Sequence, residues 1–149
     1  MTAHRRSSFL QRHSLSLVCS AILLAWMVLY AHASPDTHWG SFFGNAIADW
    51  TGLLVTVLAT KFFFEAGSAE SRRPRHPWPG PAIEFVQDHS LTIFLVITGL
   101  GWIRLFAASD PTSKRGQVVG NMVSEWTQIL GMVVLTKRLL ELHSKESRK

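Results

Sequence analysis

The chain has 149 residues, 47% of them hydrophobic and only 17% charged, with a net charge of +5 and a pI near 10.0. That length has room for one compact domain, and the charged share is below the soluble average of about a quarter. The single cysteine, Cys19, excludes an intrachain disulfide framework.

Four apolar stretches, residues 15–33, 41–64, 91–108 and 117–140, each approach or exceed the ~20 residues a helix needs to cross ~30 Å of hydrocarbon. Residues 1–14 precede the first and carry Arg5, Arg6 and Arg12. This start also fits a secretory signal, with an apolar run over 15–30 and Ala31-His32-Ala33 as an A-x-A cleavage site. A related segment recurs in mid-chain, where no signal peptide can stand, and that favours a retained span. Cys19 within it reads as a small packing residue.

The loop that follows contains no Lys or Arg over 32–40, but holds His32, Asp36 and His38, a weak set of metal donors more simply read as solvated loop residues. The second span carries Asn45, Asp49 and Gly52 at helical spacing, which places them on one face. Asp49 stands roughly 13 Å from the Gly40 end and roughly 18 Å from the Lys61 end, deep in the hydrocarbon. Beyond Lys61 the chain enters a basic, proline-rich linker over 74–84, with Trp78 suited to the membrane interface.

The second half, 85–141, repeats the plan. Its first span contains Arg104 near the outer end, and its loop holds Lys114 and Arg115. The last span carries Asn121, Glu125 and Gln128 where the second has Asn45, Asp49 and Gly52, and a charged tail over 142–149 closes the chain. A shift of 76 positions lays residues 9–73 on 85–149 without a gap, and about 24 of roughly 65 pairs are identical. Among them are His13-Ser14-Leu15 with His89-Ser90-Leu91, Trp26 with Trp102, Gly40, Gly44 and Asn45 with Gly116, Gly120 and Asn121, and Lys61 and Glu65 with Lys137 and Glu141. The expected fold is therefore all-α, with four transmembrane helices built from two parallel two-helix hairpins, 15–73 and 85–141, about a pseudo-twofold axis along the membrane normal.

Basic residues fix the expected orientation. Of 15 Lys and Arg, only Lys114 and Arg115 fall on one side, Arg104 lies within a span, and the rest gather on the other side. The positive-inside rule then places both termini in the cytoplasm and the protein in the plasma membrane.

Three readings of Asp49 and Glu125 stand open. They are polar glue between helices, hydrogen-bonded to Asn45, Asn121 and Gln128; they bind a cation or relay protons; or Arg104 neutralises one of them, with snorkelling to the outer surface as its alternative. Gly40, Gly44 and Ala48, and again Gly116, Gly120 and Ser124, are small residues spaced by four, which predicts close packing of the second and fourth spans on each other, or on the same spans of a second molecule, near the outer leaflet. Lys61 with Glu65, and Lys137 with Glu141, read as exposed pairs one helical turn apart.

The stretches Gly67-Ser68-Ala69-Glu70-Ser71, His143-Ser144-Lys145-Glu146-Ser147 and Ser124-Glu125-Trp126-Thr127-Gln128 resemble a family of uncharacterised small bacterial integral membrane proteins. The resemblance implies the four-helix duplicated architecture and no activity. No phosphate loop, nucleophile elbow or Ser/His/Asp arrangement is present, so an enzyme is not expected, nor a cofactor or a metal. The leading expectation is a structural or accessory membrane protein, partnered by the lipid bilayer and by a second copy or a larger membrane complex. A small cation or proton channel using Asp49 and Glu125 is the alternative. In a soluble chain the basic balance would suit nucleic acid, but here the placement of basic residues says more than their total, and no nucleic-acid partner is expected.

Overall fold

The computed structural model describes residues 9–73 and 80–139, and every regular element among them is helical. The order is α1 (Phe9–His32), α2 (His38–Ala59), α3 (Pro81–Asp88), α4 (Ser90–Ala107) and α5 (Lys114–Leu135). All but α3 are long and apolar enough to cross a membrane. Within the apolar windows of α1 and α4 only 11% of residues are buried inside the chain, against 33% for α2 and 22% for α5. So much unburied apolar surface is costly in water and suits hydrocarbon, as in a multi-pass membrane protein.

Each long pair closes through the same device. At the start of α2 the Thr37 hydroxyl accepts the Gly40 amide at 3.1 Å and donates to the Ser34 carbonyl at 2.8 Å. At the start of α5 Ser113 accepts the Gly116 amide at 3.0 Å and donates to the Asp110 carbonyl at 2.7 Å. These are N-caps that satisfy otherwise orphaned first-turn donors. Glycine is required at both places, because a Cβ on Gly40 would lie 1.9 Å from the Ser34 oxygen, and one on Gly116 1.9 Å from that of Asp110.

The four long helices join in the order α1, α2, α5, α4, with α2 and α5 forming the central seam. The core gathers Tyr30, Ile47, Ala48, Ala59, Leu91, Leu95, Met122, Trp126 and Val133. Trp126 Nε1 donates to Thr98 Oγ1 at 2.8 Å and so ties α5 to α4. At the end of the bundle that holds the α1–α2 and α4–α5 loops, Tyr30 donates its hydroxyl to the Lys114 carbonyl at 3.1 Å, while Lys114 Nζ donates to the carbonyls of Tyr30 and Ala31 at 3.1 and 3.2 Å. A lysine of the second loop thereby satisfies the last carbonyls of α1, where its charge also suits the helix dipole.

Three local features differ from the sequence expectation. α2 and α5 stop at Ala59 and Leu135, short of the expected 64 and 140. Thr60 and Thr136 bond their hydroxyls back to the Thr56 and Met132 carbonyls, both at 2.7 Å, and the chain turns away there. The expected linker over 74–84 also yields early to α3, which begins at Pro81, a residue whose fixed φ suits a first helical turn, and follows Gly80 at φ 101°. The glycines differ in their partners. Gly44 packs on the Tyr30 ring of α1 and Gly120 on the Phe106 ring of α4, so with Gly40 and Gly116 they serve the inside of each hairpin and not the α2–α5 seam.

Candidate functional site

The polar stripe follows from helical spacing on α2 and α5, but its members meet different surroundings. Asn45 and Asp49 on α2 are exposed, as is Gln128 on α5, whereas Asn121 and Glu125 are half-buried. Glu125 reaches across the seam onto Gly52, where an added Cβ would lie 2.4 Å from its Oε1 and 2.5 Å from its Cγ. The missing side chain of Gly52 is the space that Glu125 occupies. Arg104 is exposed in the last turn of α4 and forms no ion pair with a described residue. Ala48 is buried in the core and Ser124 is exposed. His32, Asp36 and His38 are not assembled into a metal-holding group.

From the stripe onward, α2, α4 and α5 line a partly open cavity of about 210 Å³. Its lining is mostly aliphatic, with Glu125, Gln128, Thr56, Thr60 and Glu70 as the polar groups. Glu125 stands in mid-helix and Glu70 comes from the segment after α2, so the cavity runs from the middle of the bundle toward the end at which that segment lies.

That segment holds the most concentrated polar site of the described residues, one the sequence reading did not assemble. Glu65 has 0% of its surface exposed. Its Oε1 accepts from His89 Nδ1 at 2.8 Å and is ion-paired with Lys137 Nζ, and its Oε2 accepts the Thr92 amide at 3.1 Å. The neighbouring Phe64 carbonyl takes the Leu91 amide at 3.0 Å, and the Phe64 amide donates to Ser90 Oγ at 2.9 Å. Residues 64 and 65 thus cap the free first-turn donors of α4, where a carboxylate also suits the helix dipole. Around them the Glu65 amide donates to Ser71 Oγ at 2.8 Å, the Ala66 amide to the Asp88 carbonyl at 2.7 Å, and Ser68 and Thr136 hydroxyls meet at 3.0 Å. Phe63 stacks on Phe94 with centroids 4.7 Å apart.

The expected exposed pair of Lys61 with Glu65 is therefore corrected. Helix α2 ends before either residue, Lys61 points outward, and Glu65 is paired with Lys137 of the other hairpin. The expected pair of Lys137 with Glu141 lies partly outside the described residues. Burial would push the Glu65 carboxyl up, but the bonds from Lys137, Thr92 and His89 together hold it below the ordinary glutamate value. The signal for this site was present in the sequence: His, Lys and Glu are retained at the repeat shift while the apolar residues around them drift.

No protein-family model, curated protein or solved structure matches the chain.

Proposed function

We propose that the chain is a parallel duplication of one membrane hairpin, with both termini in the cytoplasm of a plasma-membrane protein, and that it serves as a non-catalytic structural or accessory component of a membrane assembly. The equal length of α2 and α5, 22 residues each, and their matching caps support the duplication. The observation that carries the assembly is Asp49, with Asn45, exposed on α2 at mid-span depth. A carboxylate facing lipid there costs a few kcal/mol, so a protein neighbour covers this face, whether a second copy or another membrane protein. The paired replacements Asn45→Leu and Asp49→Leu make the same face lipid-compatible. The expected result is that wild-type protein in bilayers forms a stable assembly and the double variant stays folded but runs as the isolated chain. Wild-type protein that is monomeric in native membranes and brings no partner with it would sink the reading.

The cavity favours a second reading, a small proton or cation conductor. Glu125 lines the same partly open cavity as Glu70, Thr56 and Thr60, so an intramembrane carboxylate adjoins polar groups leading toward one end of the bundle. Liposomes carrying wild-type protein should then pass H+ or a small cation, and Glu125→Gln should abolish the flux without unfolding the chain. Equal flux from both would dismiss it.

A further inference from the structure

The end of the bundle that holds the α1–α2 and α4–α5 loops carries an open groove of about 550 Å³, with Tyr30 of α1 on one side, Leu105 and Ser109 of α4 on the other, and α5 between them. Leu105, Val118 and Val119 make its wall apolar, and Lys114 and Arg115, the first two residues of α5, stand at its loop end. The Ser109 hydroxyl is turned back onto the Leu105 carbonyl at 2.6 Å, and Lys114 Nζ lies against the last carbonyls of α1. Arg115 is exposed and forms no ion pair with a described residue. The nearest acid along the chain, Asp110, accepts the Thr112 amide and hydroxyl at 2.9 and 2.8 Å. The groove thus joins an apolar surface to two positive charges, with no carboxylate in its lining.

The first hairpin treats the same positions differently. At the 76-position shift Arg115, Val118 and Val119 stand where α2 has Trp39, Phe42 and Phe43. Those three rings lie with centroids 5.9 to 6.2 Å from one another, and Phe42 and Phe43 also pack on Trp26 of α1. On α5 this aromatic cluster is exchanged for two small side chains and a cation. The comparison rests on the duplication reading; the groove and its charges do not.

We propose that the groove binds one anionic glycerophospholipid, with an acyl chain along Leu105, Val118 and Val119, the phosphate on Arg115, and Lys114 adding to the positive field. Charge and depth set the occupant. Where the four long helices span a bilayer, the first turn of α5 lies at headgroup level and Val119 stands about 6 Å deeper than Arg115. A single molecule that offers an anion and then a hydrocarbon chain matches that order. A guanidinium also suits phosphate, because it can form two parallel hydrogen bonds to it. A zwitterionic lipid brings the same phosphate together with a cation, which Lys114 and Arg115 repel.

Native mass spectrometry of the full-length protein, released from liposomes of equal parts phosphatidylglycerol and phosphatidylcholine, tests this. Wild type should retain one phosphatidylglycerol per chain, at least about fivefold in preference to phosphatidylcholine, since each basic residue near the headgroups is worth about that factor. Arg115→Gln should lower the preference about fivefold. Arg104→Gln removes an equal charge from the last turn of α4, outside the groove, and should leave the preference unchanged. Installing the first hairpin's residues, Arg115→Trp with Val118→Phe and Val119→Phe, should abolish retention of phosphatidylglycerol. Should that variant fail to fold, the wild type still decides: phosphatidylglycerol with a photoreactive acyl chain should cross-link within residues 105–119. Equal retention of the two lipids by wild type, equal losses from Arg115→Gln and Arg104→Gln, or cross-links spread over the other helices overturns the site and leaves the duplication standing.

Discussion

Glu65 shows what a single carboxylate does when it sits among groups from three places in the chain. Replacing it by Gln keeps the volume and removes the charge, leaving Lys137 without its counter-ion, and the expected cost is roughly 3 kcal/mol, read from denaturation in a mild detergent. Since the fold holds this carboxyl below its ordinary value, the unfolded chain takes up the proton first as pH falls. The stabilisation is full above the ordinary glutamate value of about 4.3 and is lost as pH drops through the folded value. Thermal stability of the wild type should therefore fall below about pH 4, and that of Glu65→Gln should be the flatter of the two. Gly116→Ala is a second sharp test, since its Cβ would collide with the Asp110 carbonyl. It should cost at least about 2 kcal/mol, against about 1 kcal/mol for loss of the neighbouring Ser113 cap.

At the scale of elements, the membrane spans were legible because apolar length is a direct consequence of bilayer thickness, whereas their ends were not. Residues 60–64 and 136–140 contain no Pro or Gly that would stop a helix, and nothing local says that Thr60 and Thr136 turn the chain aside. The turn is set by a distant partner, since Glu65 must reach the first turn of α4. For the same reason Lys61 and Glu65 read as an exposed pair: their spacing suits a helix that is no longer there. The glycines misled in a related way. Spacing by four identifies a smooth helical face but not the neighbour it meets, and here the neighbours are the hairpin's own loop and first helix. Of the polar stripe, the sequence located every member, but the exchange of Glu125 for the absent side chain of Gly52 needed the packing. Thr98→Val removes the acceptor of the Trp126 indole and should destabilise the α4–α5 hairpin by about 1 kcal/mol, measured as increased hydrogen exchange in those two helices.

For the whole molecule, topology is the firmest expectation from charge alone. Reporter fusions at Asp36 and Lys114 should read extracytoplasmic, and those at Arg75 and Lys149 cytoplasmic; a cytoplasmic signal at Lys114 would dismantle the parallel arrangement. Each hairpin packs internally, and the two meet along α2 and α5. Two separately expressed halves, cut within the proline-rich linker, should therefore associate in the membrane and copurify.

The first hairpin is made before the residues that receive its own end. His89, Thr92 and Lys137 emerge from the ribosome only after Glu65, so a chain halted early displays a carboxylate, Phe63 and Phe64 with nowhere to lie. Completion of α5 delivers Lys137 and draws that segment in. The ordering of residues 60–71 is thus a report that α5 is in place, and protease attack within it should distinguish chains halted before α5 from those that contain it.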